Sequence, residues 1–105
     1  METNTPTFKQ HYNQHTGNVP FATRAKLAST VLSKLQTTFG FNLSKLQPPT
    51  QPFGEITDQL RQMGLEVLDG LNGSDFDKQS VAQAIEDAPE GMDIVLQLSM
   101  ISNLS

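Results

Sequence analysis

The 105-residue sequence contains no cysteine and no tryptophan. Without thiols there is no disulfide, no thiolate zinc site and no cysteine nucleophile. No apolar run approaches the ~18 residues that a membrane span requires. The opening METNTPTFKQHYNQHTGNVP also lacks the apolar core of a secretory signal. A cytoplasmic protein is therefore expected, and the Asn-x-Ser triplets at Asn42, Asn72 and Asn103 read as chance rather than glycosylation sites.

Signatures of catalysis are missing as well. There is no Gly-x-Ser-x-Gly, no glycine loop shaped for phosphate, and no histidine after His15. Glu86, Asp87, Glu90 and Asp93 bunch where two helices should meet, which suits solvated, dipole-favouring acids better than a catalytic pair. His11 and His15 have the spacing of a helical metal pair, but their segment is a poor helix and no third ligand lies near. Asp69, Asn72, Asp75 and Asp77 surround a glycine-rich turn without the alternate-position ligand spacing of a calcium loop. They are expected to cap helices and form turns. The expectation is a non-enzymatic protein without metal or cofactor.

Acidic residues are absent from Thr3 to Gly54. Residues 1–50 hold five Lys or Arg against Glu2 alone, for a net +4, whereas residues 51–105 hold two against ten acids, for a net −8. Such a split fits an arm for an acidic partner or nucleic acid, or two halves that attract on folding. Lys9, Arg24, Lys26 and Lys34 are the candidate contacts to phosphate or to an acidic partner. Against a nucleic-acid role, the three helical cations scatter round the first helix, and the acidic half repels phosphate. The basic, Ser/Thr-rich first half also has the composition of a transit segment, though with little arginine.

What is present is helical periodicity. Residues 1–19 are too polar to offset an ordering cost of roughly 1–2 kcal/mol per residue, and are expected to form a flexible arm. Phe21, Ala25, Ala28, Leu32, Leu35 and Phe39 recur at spacings of four and three and predict the first helix, opened by Pro20 and closed by Gly40. Pro48, Pro49 and Pro52 then impose an extended connector, pinned by Phe41, Leu43, Leu46 and Phe53; its Pro49-x-x-Pro52 reads as rigid linker. Ile56, Leu60, Met63, Val67 and Leu71 predict a second helix over about 55–71. A third is expected over Asp77–Ala88, capped by Asp77, with Phe76 stapled onto Val81.

The last segment, GMDIVLQLSMISNLS, satisfies two periods. Ile94, Leu98 and Ile101 share a helical face, while Ile94, Leu96, Leu98 and Met100 alternate as in a strand. Helical neighbours and the lack of a second strand favour helix, begun by a capping box from Asp87 to Glu90. The fold expected is all-α: a small antiparallel bundle of three to four helices over 20–105, behind the arm of 1–19.

Several apolar residues fall outside these stripes, namely Leu27 and Val31 on the first helix and Leu65 and Leu68 on the second. The final segment is apolar nearly all round, adding Leu96, Leu98, Met100 and Ile101. One small bundle should not hide all eight, and exposed apolar patches mark interfaces. The function expected is a protein–protein interaction or regulatory module, homodimeric through this surface. Its partners would be a second copy or another protein, with nucleic acid as the alternative and no membrane.

Overall fold

The computed structural model describes residues 19–103, with side chains from Thr23 onward. The arm expected over 1–19, with Lys9, His11 and His15, lies outside these residues except for Val19, which is already helical. Four α-helices follow: α1, Val19–Phe39; α2, Thr57–Asp69; α3, Asp75–Asp87; and α4, Gly91–Ser102. The last segment is thus helix, and the only β-pairing among the described residues is an isolated bridge between Asn42 and Gln47.

Gly40 ends α1. Its φ of +73° lets the amides of Gly40 and Phe41 both donate to the Gln36 carbonyl, at 2.9 and 3.1 Å. The chain next makes a tight turn over 42–47, with Asn42 Oδ1 accepting from the Lys45 amide at 3.0 Å. Phe41 and Phe53 then meet edge to face at 5.0 Å and pin the proline connector to the core. Leu43 is half-buried, but Leu46 does not join this anchor: it stands almost wholly in solvent with φ +54°.

A short 3-10 turn, Phe53–Ile56, leads into α2, so the α-helix begins at Thr57 rather than at residue 55. Two cap expectations are also corrected. Ser74, not Asp77, caps α3, its hydroxyl accepting from the Asp77 amide at 3.1 Å. Phe76 lies within the helix and points outward, so it does not staple onto Val81. On α4 the capping box is Glu90 with Asp93, the Glu90 amide donating to Asp93 Oδ2 at 3.2 Å. Ala88 has extended backbone, which separates Asp87 from the start of α4.

All four helices touch one another, and the α1–α4 packing is the most extensive. α2 and α3 are antiparallel, as two contacts at opposite ends of the pair show. Arg61 near the start of α2 donates to the carbonyls of Ile85 and Ala88 at the end of α3. Lys78 near the start of α3 donates to the Asp69 carbonyl at the end of α2, at 2.8 Å. Neither helix carries a basic residue in its own last turn. Each therefore borrows from its neighbour the cation that satisfies its orphan carbonyls and opposes its dipole. These are the two cations of residues 51–105.

The core is contributed by every helix, with Val31, Leu35, Leu60, Val81, Ile85, Ile94, Val95 and Leu98 wholly enclosed. Because α1 contacts three helices, it buries a wide arc that includes Leu27 as well as Ala28 and Leu32. On α2 the buried line runs Ile56, Leu60, Gly64, Leu68. Gly64 gives α2 a close approach to its neighbours: a Cβ there would lie 3.4 Å from Ile85 and 3.6 Å from Val31.

Candidate interaction surface

The eight apolar residues singled out from the sequence divide in two. Leu27, Val31, Leu68 and Leu98 are 4, 0, 2 and 0% exposed and belong to the chain's own core. They lie off the simplest stripes because each helix is packed on more than one side. Leu65 and Ile101 are half-buried at the edge of that core. Only Leu96 and Met100 stand out, at 50 and 61% exposure.

Those two are joined by a residue the sequence reading had not selected. Met92 is 46% exposed and precedes Leu96 by four positions, as Leu96 precedes Met100. At 1.5 Å per residue, the three form a ridge about 12 Å long on the outward face of α4. The i, i+4, i+8 spacing was visible in the sequence, but the more deeply buried Ile94, Leu98 and Ile101 set the helical face chosen there. Asp93, at the first turn, is the one charged residue in the helix.

Among the cations, Lys26 and Lys34 are exposed, whereas Arg24 is engaged within the fold and Lys9 lies outside the described residues. Arg24 Nε sits 3.1 Å from Asp77 Oδ1, in an ionic contact that is not aligned as a hydrogen bond. Its guanidinium also lies 5.3 Å from the ring centre of Phe76. The other Asp77 oxygen, Oδ2, accepts from the Ser74 hydroxyl at 2.9 Å. One acid of the former turn cluster thus faces inward to α1, while Asp69 and Asp75 stay exposed.

Among the described residues, no three His, Cys, Asp or Glu side chains gather as metal ligands would, and no helix is long and apolar enough to cross a membrane. An open groove of about 540 Å³ lies between α2 and α3. Leu65, Leu68 and Ala82 supply its apolar lining, with Glu66, Asp69, Asp75 and Glu86 around it. No protein-family model, curated protein or solved structure matches this chain.

Proposed function

We propose that this chain is a non-enzymatic, cytoplasmic interaction module that pairs through α4, in the first instance with a second copy of itself. The observation that carries this reading is the Met92–Leu96–Met100 ridge, three of the five large apolar side chains that stand exposed among the described residues. A ridge at i±4 spacing can interlock with the same ridge on a second copy across a twofold axis.

Magnitudes set the character of the pairing. Burying the roughly half of each side chain that remains exposed returns about 1.3 kcal/mol each, or about 8 kcal/mol over two copies. Association costs at least about 4 kcal/mol in lost translation and rotation. The surplus supports transient pairing near millimolar concentration, not an obligate dimer. A nucleic-acid role gains no support, because Arg24 is held by Asp77 and Phe76.

Sedimentation velocity from about 50 μM to about 3 mM tests this, a range that brackets the expected affinity. Wild type should show a rising average mass, and the Leu96→Asp/Met100→Asp double variant should stay monomeric with its helical signal intact. A wild-type chain that remains monomeric throughout, or a variant that associates equally well, rejects the ridge as the pairing surface.

A further inference from the structure

The groove between α2 and α3 shares no residue with the α4 ridge and raises a separate question. Its lining includes Leu65 and Ala82, half-buried apolar residues packed on the core, with Leu68 beneath. Two of its four carboxylates come from α2, Glu66 and Asp69, and two from α3, Asp75 and Glu86. From Asp75 to Glu86 is eleven residues of one helix, about 16 Å at 1.5 Å per residue. Three turns of a docked helix cover the same length.

The charge on the rim is not balanced locally. Lys78 is the only cation among the lining residues, and its ammonium is committed to the Asp69 carbonyl, a backbone group, at 2.8 Å. Arg61, the other cation of the acidic half, is likewise turned to the carbonyls of Ile85 and Ala88. Lys78 alone therefore offsets one of the four carboxylate charges, which leaves the lining at a net −3. An apolar floor of Leu65, Leu68 and Ala82 between walls of net negative charge disfavours phosphate and acidic peptides. It matches a segment with apolar side chains on one face and Lys or Arg along both flanks.

We propose that the α2–α3 groove docks a basic amphipathic helix of another protein. Apolar side chains at i, i+4 and i+7 would cover Leu65 and Ala82, with flanking cations reaching Glu66 and Asp69 on one side and Asp75 and Glu86 on the other. The site is independent of the pairing ridge, so either can fail without the other.

The test is a titration of the full-length ¹⁵N-labelled chain with a synthetic 18-residue Leu/Lys amphipathic peptide, alongside a peptide in which every Lys is Glu. Saturable binding of the Leu/Lys peptide is expected, with amide shifts centred on Leu65, Ala82 and Glu86 and none from the Leu/Glu peptide. Glu66→Gln/Glu86→Gln should weaken binding about tenfold, the effect of losing two surface ion pairs. Glu55→Gln/Asp58→Asn removes the same charge outside the groove and should change affinity less than about twofold. Equal losses in both variants would reduce the effect to general attraction for an acidic protein and overturn the proposal. Shifts centred on α4 would overturn it too. So would groove shifts that grow with protein concentration in the absence of peptide, which would assign the groove to a second copy.

Discussion

Arg24 on α1 holds its Nε 3.1 Å from Oδ1 of Asp77 on α3, and both side chains are largely withdrawn from solvent. This contact joins the acid-free first half of the chain to the acidic second half. It shows that part of the charge asymmetry is consumed inside the fold. Removing one member of such a pair leaves the other charge desolvated. Asp77→Ala also removes the acceptor of the Ser74 hydroxyl. It should cost about 2–3 kcal/mol, less than for a fully buried pair because Arg24 retains some access to water. A double-mutant cycle with Arg24→Ala, read by urea unfolding, should give a coupling of about 1–2 kcal/mol. Strict additivity would show that the pair contributes nothing as a pair.

The exchange of cations between α2 and α3 predicts an asymmetric cost. Arg61 reaches two carbonyls at the end of α3, whereas Lys78 reaches one at the end of α2. Arg61→Gln should therefore destabilise by about 1–2 kcal/mol and Lys78→Gln by about 0.5–1 kcal/mol. Amide exchange should localise the damage, with faster exchange in the last turn of α3 for the first variant and of α2 for the second. Equal, uniform acceleration in both variants would rule out capping as the mechanism.

Gly91 opens α4 where a side chain has no room. A Cβ there would overlap the Phe53 carbonyl oxygen and lie 2.9 Å from Leu60 Cδ1. Phe53 cannot easily withdraw, since its ring packs on Phe41 and its carbonyl also accepts from the Thr57 hydroxyl at 3.3 Å. The same hydroxyl oxygen accepts from the Gly91 amide at 2.8 Å. Gly91→Ala should cost about 3 kcal/mol and lower the melting temperature by more than about 10 °C, despite alanine's better helix propensity. Unchanged melting would mean that the α3–α4 connection is free to shift.

Much of this fold was legible because periodicity follows from burial. The stripe Ala25, Ala28, Leu32 and Leu35 did mark the inner face of α1, and Gly40 did mark its end. What remained hidden depended on contacts between segments. Leu27 and Val31 read as surplus because nothing local reveals that α1 packs against three partners. Gly64 was passed over because a residue without a side chain adds nothing to an apolar count, yet its place four residues from both Leu60 and Leu68 sets the buried line of α2. Asp77 read as a cap because its use by Arg24, 53 positions earlier, is a tertiary fact. The α4 ridge could have been found from spacing alone, had the exposed face been considered beside the buried one.

Leu46 combines two unfavourable features, 88% exposure and a φ of +54°. A branched aliphatic residue in the left-handed region costs about 1 kcal/mol relative to glycine, and here almost no packing returns it. The turn itself is held by reciprocal backbone bonds between Asn42 and Gln47, at 2.9 and 2.8 Å, which do not involve the Leu46 side chain. Leu46→Gly should therefore leave stability unchanged or raise it by up to about 0.5 kcal/mol, after allowance for the greater freedom of glycine in the unfolded chain. A loss of stability in thermal unfolding would mean that the Leu46 side chain makes contacts beyond this turn.

The two faces of α4 should respond oppositely to the same substitution. Leu98 is wholly enclosed, so Leu98→Asp places a carboxylate among Val95, Ile94 and the α1 core. That should cost more than about 4 kcal/mol, most of the 5–10 kcal/mol expected for a domain of this size, and leave the chain substantially unfolded. Leu96, two positions away, is half exposed, and Leu96→Asp should alter monomer stability by no more than about 0.5 kcal/mol. Circular dichroism at low concentration, where pairing is negligible, separates the two effects. If both variants unfold, Leu96 is supporting the monomer and the ridge cannot be surplus surface. If only Leu98→Asp unfolds, the apolar character of Leu96 serves something other than the stability of a single copy. A loss of mass action in the folded Leu96→Asp chain then identifies that role as association.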